Sequence, residues 1–328
     1  MVTPLVNIQG LNVAFNGVPV LRGVDLTLEK GEAVGLVGES GSGKSVTWLA
    51  ALGLLPRHAS VSGSVRLDGR EILGAPAGEL DRVRGGRVAM IFQDPASALN
   101  PVLTIRKQLC EALALHRDLS GEAVKAEARQ LLDLVGIPDA ARRLEAYPHE
   151  FSGGQVQRIM IAMALAGNPD LLVADEPTTA LDATIQAQIL ELLSSVRREM
   201  GMAMVLISHD LGVVAENCDR VAVMYAGRIV ERAPANQLFA DPVHPYAQGL
   251  IGALPPLDGP RRRLTAIPGT VPDPARMPSG CAFAPRCALA AEPCGLAVPS
   301  LAPIANDRVV ACIRAEASRR ALLGIAAE

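Results

Sequence analysis

Gly38 to Ser45 reads GESGSGKS, and this stretch decides the fold. It fits the pattern G-x-x-x-x-G-K-[ST]. The residues before it, Ala33 to Val37, read AVGLV and predict a short buried strand, while Val46 to Leu55 after it read as helix. Strand, glycine-rich loop and helix in that order make a phosphate cradle. Glycine lets the backbone curl until several N–H groups face one cluster of phosphate oxygens. The start of the helix adds partial positive charge. On this reading Gly38, Ser40, Gly41, Ser42 and Gly43 shape the loop. Lys44 reaches the β and γ phosphates, and Ser45 ligates Mg²⁺. A ligand-free Gly/Ser turn is the plain alternative, and the flanking strand and helix argue against it.

The chain around this loop has 328 residues, enough for about two domains. Hydrophobic residues at 49% against charged residues at 20% exclude intrinsic disorder and supply a core. Aromatics are only 3%, so that core is built of Ala, Val, Leu and Ile. The net charge of −3 argues against holding nucleic acid on a basic surface. The one basic run, Arg261 to Arg263, reads as a solvated turn. Apolar stretches such as Ile159 to Gly167 fall short of the roughly 18–20 residues a bilayer span needs. The N-terminus, MVTPLVNIQG, lacks the charged-then-apolar pattern of a secretory signal. The chain is therefore expected to stay in the cytoplasm, where its cysteines are not naturally read as disulfides.

Further strands are predicted at Leu5 to Val13, Val88 to Phe92, Leu171 to Ala174 and Met204 to Ile207, the last three leading into polar loops. Helical spacing marks Ser120 to Val135 and Ala183 to Met200. This alternation is that of an α/β domain. Leu171 to Glu176, LLVADE, delivers Asp175 and Glu176 to the C-terminal end of a buried strand, where ligands of open parallel sheets bind. Asp175 is placed to hold Mg²⁺ through water, and Glu176 to polarise an attacking water as general base.

Phe151 to Arg158 reads FSGGQVQR. Here the sequence resembles the nucleotide-binding subunits of ATP-binding cassette (ABC) transporters, whose signature is commonly LSGGQ. Phe151 departs from the leucine, at an apolar packing position. Other motifs of the family follow in order. Phe15 matches the aromatic that stacks on adenine. Gln93, in IFQDP, matches the Q-loop, Ala180-Leu181-Asp182 the D-loop, and His209, in ISHD, the switch histidine. The resemblance covers about residues 1–255. It implies an ABC-type P-loop ATPase core with a mixed sheet and a helical subdomain at about 94–165. It also implies two such domains facing head to tail with ATP trapped between them. The γ-phosphate then meets the cradle of one domain and Ser152, Gly153, Gly154 and Gln155 of the other, with Asp182 at the same junction. Gln93, through Mg²⁺ and the attacking water, and His209, by hydrogen bonding, sense that phosphate.

Composition changes near residue 254: seven prolines fall between Leu254 and Pro278, which predicts an extended linker into a small irregular C-terminal module, residues 256–328. Four of the six cysteines lie beyond it: Cys281, Cys287, Cys294 and Cys312, spaced C-x₅-C-x₆-C-x₁₇-C. The gaps are wider than those of zinc knuckles and suit a four-thiolate [4Fe–4S] cluster. Zinc and metal-free thiols are the alternatives. Cys110 and Cys218 read as small core residues.

HPY at His244 to Tyr246, IPGTVPDP at Ile267 to Pro274 and SGCAFAPRC at Ser279 to Cys287 are similar to the C-terminal extension of oligopeptide and dipeptide importer ATPases. Some of that group carry an iron–sulfur cluster on these cysteines. The resemblance implies an ATPase at the cytoplasmic face of the inner membrane. Its partners are a second ATPase, often a paralogue, two transmembrane permease subunits and an extracytoplasmic binding protein. Nickel, glutathione or another small solute is the alternative cargo. A soluble ABC ATPase acting on nucleic acid or ribosomes is disfavoured: there is one cassette, no long coiled-coil insertion and a slightly acidic charge.

Overall fold

The computed structural model describes residues 3–93, 98–179, 181–254, 266–305 and 307–322, with side chains to 320. Its strands are β1 (Val6–Phe15), β2 (Val18–Leu28), β3 (Ala33–Val37), β4 (Ala59–Leu67), β5 (Arg70–Glu71), β6 (Val88–Ile91), β7 (Leu171–Asp175), β8 (Ala203–Ile207), β9 (Arg220–Tyr225), β10 (Arg228–Pro234), β11 (Ala302–Ala305) and β12 (Arg308–Val310). The chain divides into two compact units.

The first unit comprises residues 1–28, 33–73 and 207–328. β1 and β2 form an antiparallel hairpin that closes at Phe15 opposite Val18. The two residues between are Asn16 and Gly17, at φ +49° and +80°. Asn-Gly is the pair that tolerates positive φ at both central positions of such a turn. β4 pairs with β1 and β5 with β4, giving the order β2-β1-β4-β5. A second row runs β11-β12-β10-β9-β3. Within it β3 and β9 are parallel, whereas β9, β10, β12 and β11 are antiparallel to one another, so the sheet is mixed. All five residues of β3 are buried, as an apolar run without alternation demands. The helix after the phosphate loop is Lys44–Ala51, and Trp48 on it is 1% exposed.

The described residues of 266–322, part of the first unit, are more regular than their sequence predicts. β11 and β12 form a hairpin on β10, and a helix occupies Ala315–Leu322. Arg308 on β12 holds it in place: its Nη2 donates to Oε1 of the fully buried Glu231 on β10 at 2.8 Å. Within the proline-rich stretch, Pro274–Arg276 is a turn of 3₁₀ helix; Pro255, Pro256, Pro260 and the arginine run lie outside the described residues.

The second unit comprises residues 29–32 and 74–206. Its strands run β8-β7-β6, with β6 and β7 parallel and β7 wholly buried. Helices Ile105–His116, Glu122–Leu134 and Gly153–Leu165 pack together, using Leu109, Leu113, Leu132 and Ile159, each fully buried. Helix Ala183–Met200 starts and ends where its spacing predicts: Asp182 accepts from the N–H groups of Thr184 and Ile185, and Gly201 closes it at φ +64°. Cys218, in the first unit, is a core residue as expected; Cys110, in the second, is only half-buried. Among the described residues no helix is long and apolar enough to cross a membrane.

Candidate active site

In the first unit the phosphate loop runs from β3 into helix Lys44–Ala51. Gly43 immediately precedes the helix at φ +104°, and a Cβ there would lie 2.5 Å from Cδ2 of Leu21. That left-handed backbone is what favours glycine here. Lys44 is buried, and its ammonium donates to the carbonyl oxygens of Gly38 at 2.8 Å and Glu39 at 3.1 Å. These bonds hold the cation against the loop where a polyphosphate would replace or share them. Among the described residues the buried hydroxyl of Ser42 has no hydrogen-bond partner, an orphaned polar atom within the loop that an anion's oxygens suit. Ser45 is half-buried one residue into the helix, with Ser40 and Gly41 exposed before it. Phe15 ends β1 half-buried, its ring 5.8 Å from that of His58. His209 is exposed just after β8, and Asp210 next to it caps helix Leu211–Asn217.

In the second unit Asp175 ends β7 almost fully buried, and Glu176 follows at φ +48°. That left-handed backbone is uncommon for a glutamate and marks a sharp exit from the strand. Two donors meet its carboxylate: Nε2 of Gln93 and Oγ1 of Thr179 lie 3.1 and 3.0 Å from Oε2. Gln93 and Glu176, predicted from motifs 83 residues apart, thus share one hydrogen bond. Thr179 was not predicted; its signal was its place three residues beyond the glutamate. Asp94 and Pro95 of the Q-loop, and Ala180 of the D-loop, lie outside the described residues.

The signature serine begins its helix. Ser152 caps Gly153–Leu165 by accepting from the N–H of Gln155, whose side chain accepts the N–H of Ser152 in return. Ser152 and Gly153 are exposed. A Cβ on Gly154 would lie 2.7 Å from Cγ2 of Ile185, so the signature packs against the helix that Asp182 caps. Sequence order separates these motifs; the structure joins them.

In the C-terminal module Cys281, Cys287, Cys294 and Cys312 line one pocket with His244, Phe283, Leu289 and Ile313. The N–H of Cys281 donates to the carbonyl of Cys294 at 2.8 Å. The sequence predicts these four as ligands of a [4Fe–4S] cluster, with zinc or metal-free thiols as the alternatives; among the described residues no three His, Cys, Asp or Glu side chains are gathered as a metal site. Burial pushes the thiols of Cys281 and Cys287 up, and that of Cys312 up to about 11, so these stay protonated at neutral pH unless a cation stabilises the thiolates. The donor set and shared apolar lining fit a thiolate-held group, but the cage is not drawn together.

Cradle, buried acid, glutamate and capped signature helix define a nucleotide-hydrolysing cassette of the ABC type. Residues 21–179 match the family model described as ABC transporter, and residues 230–294 the one described as oligopeptide/dipeptide transporter, C-terminal region. A putative peptide import ATP-binding protein of Brucella melitensis is 51% identical over 296 residues, covering 89% of both chains. The oligopeptide transport ATP-binding protein OppD of Haemophilus influenzae is 47% identical over 313 residues, covering 94% of this chain and 97% of that one. Among solved structures, the dimeric post-hydrolysis state of the ATP-binding cassette MJ0796 bound to ADP and Pi is 28% identical with a TM-score of 0.62. It covers 70% of this chain and 98% of that one. The chain belongs to the ATP-binding subunits of ABC transporters, and it is an ATPase.

Proposed function

We propose that this ATPase powers a membrane importer for peptides. The observation that carries the reading is the pairing, in one chain, of an ATPase cassette with the oligopeptide/dipeptide C-terminal region at residues 230–294. Residues 1–255 are taken as the nucleotide-binding domain and 256–328 as the importer-type extension. The chain works at the cytoplasmic face of the membrane with two permease subunits, an extracytoplasmic binding protein and a second ATPase, a paralogue. Nucleic acid is not a partner.

The chemistry follows from the residues. Phe15 stacks on adenine. The loop Gly38 to Ser45 takes the phosphates through Lys44 and through backbone N–H groups other than that of Glu39, which is committed to Tyr246. Ser45, Gln93 and Asp175 would hold Mg²⁺, which would supply neutralising charge for the phosphates. Glu176 accepts the proton of the attacking water; its hydrogen bond from Gln93 supports that role by fixing the carboxylate. His209 donates to the γ-phosphate. Ser152, Gly153, Gly154 and Gln155 meet the same phosphate from the opposing subunit, with Asp182 beside them.

Cys281, Cys287, Cys294 and Cys312 are the proposed ligands of a [4Fe–4S] cluster, supported by their shared pocket. A bound cluster supplies a structural cross-link to the module. Protein purified without oxygen is expected to be brown and to carry about four irons per chain; stoichiometric zinc without iron overturns this. The transport reading is tested by purifying the assembled complex and identifying the molecule its binding protein holds. Peptide is the expected result.

A further inference from the structure

Glu39 occupies a position of the phosphate loop at which the G-x-x-x-x-G-K-[ST] pattern requires nothing. An acid there is a liability, because a carboxylate beside a polyphosphate site repels its ligand. Every polar handle of Glu39 is nonetheless engaged. Its N–H donates to Oη of Tyr246 at 2.7 Å, and its carbonyl accepts from Lys44. Its carboxylate accepts a two-pronged pair from Arg286, with Nη1 to Oε2 at 2.7 Å and Nη2 to Oε1 at 3.0 Å. Such a fork both neutralises and orients a carboxylate.

Arg286 belongs to the C-terminal module, next to Cys287. Its side chain is 4% exposed, against 31% for Glu39. Nε donates to the carbonyl of Pro268 at 2.7 Å, and Nη1 reaches Oη of Tyr225 at 3.4 Å. The guanidinium lies over the rings of Tyr225 and Phe283 at 5.8 and 5.9 Å. Tyr225, Tyr246 and Phe283 also pack on one another, with ring centroids 4.5 to 5.4 Å apart. A buried arginine so fully coordinated is rigid, and the residue it grips in the loop shares that rigidity.

We propose that Arg286 is a positioning residue for nucleotide binding: from the C-terminal module it holds and neutralises Glu39, keeping the phosphate loop in shape and receptive to a polyphosphate anion. The extension is thereby a working support of the ATP site. This rests on reading Gly38 to Ser45 as an ATP-binding loop.

The test is steady-state ATP hydrolysis by the assembled transporter across MgATP concentrations, with thermal unfolding as a fold control. Arg286→Gln leaves the Glu39 charge unmatched and is expected to raise KM for ATP about tenfold with kcat within about twofold of the parent. Glu39→Gln combined with Arg286→Gln removes the stranded charge and is expected to bring KM back to within about threefold of wild type. A merely structural arginine gives the opposite pattern: fewer active molecules, hence lower kcat at unchanged KM, and no rescue. Either an unchanged KM in folded Arg286→Gln or a double variant no better than the single one overturns the proposal. If Arg286→Gln does not fold, Arg286→Lys decides; it keeps the charge but not the fork, and a KM raised about threefold supports the proposal while an unchanged one overturns it. Wild-type protein without Mg²⁺-dependent ATP affinity refutes the ATP reading itself, a separate result.

Discussion

Nε2 of Gln93 donates to Oε2 of Glu176 at 3.1 Å, and this one bond ties the loop after β6 to the acid after β7. The parallel pairing of those strands, Ile91 opposite Ala174, brings the two loops side by side. Thr179 takes the same carboxylate oxygen from the other direction along the chain. A carboxylate held by these donors while its backbone sits at positive φ is fixed in place, which supports its proposed role as a general base.

Glu176→Gln keeps the shape and the hydrogen-bonding capacity but cannot take a proton. Turnover is expected to fall by at least about 100-fold, with ATP affinity retained. Single-turnover hydrolysis beside equilibrium ATP binding measures both. Wild-type hydrolysis in the variant removes Glu176 from the role of base.

Gly43→Ala places a methyl 2.5 Å from Cδ2 of Leu21 and 3.0 Å from Cε of Met224, on a backbone at φ +104°. The two side-chain ends can give way, but alanine rarely adopts this backbone, so the loop relaxes or stays strained at a cost of about 1–3 kcal/mol. ATP affinity is expected to fall more than stability, because the atoms affected are those proposed to face phosphate. Calorimetric binding and denaturant unfolding on the same preparation separate the two. A large stability loss with unchanged affinity contradicts this reading of the cradle.

Ser152→Ala removes the cap of helix Gly153–Leu165, where the hydroxyl accepts from Gln155 at 3.4 Å. At that length the cap is weak, and the stability cost is expected to stay below about 1 kcal/mol. The larger effect falls on association. In the Glu176→Gln background, MgATP is expected to dimerise the cassettes, and adding Ser152→Ala is expected to suppress that dimer on a sizing column. A dimer of undiminished affinity shows that the signature serine does not cross the interface.

Local patterns revealed the elements that carry the chemistry. β3 and helix Ala183–Met200 begin and end where apolar run and cap predict, because each is fixed by residues close in sequence. The Asn16-Gly17 turn carried an equally local signal for the β1–β2 hairpin. The regular C-terminal hairpin was hidden, since β12 is anchored by Arg308 on Glu231, 77 residues away, and not by its own pattern. The Glu39–Arg286 pair spans 247 residues and leaves no periodicity to read. The cysteines were legible as a group sharing one pocket, while the sequence could not show that, among the described residues, no three of them are gathered as a metal site.

His244 gives a pH dependence with a definite sign. Its Nδ1 accepts the N–H of Tyr246 at 3.1 Å and so begins helix Pro245–Gly252, while its backbone N–H, which a substitution leaves in place, donates to Oε2 of Glu231 at 2.7 Å. It is 1% exposed, against the ring of Phe283, and burial pushes its pKa down to about 3. The folded imidazole thus stays neutral where the unfolded one, near 6.5, takes a proton. Stability from this residue is complete above about pH 6.5 and is lost as pH falls toward 3, by about 2 kcal/mol between pH 6.5 and 5. Glu231 has the opposite tendency, since burial raises its pKa against the bonds from His244, Arg308 and Val243. Its contribution is common to wild type and His244→Asn, so comparing the two cancels it. Asparagine can accept the Tyr246 N–H without titrating. Urea midpoints at pH 7.5 and 5.0 are expected to separate widely for wild type and by clearly less for His244→Asn; equal separations remove the histidine as the cause.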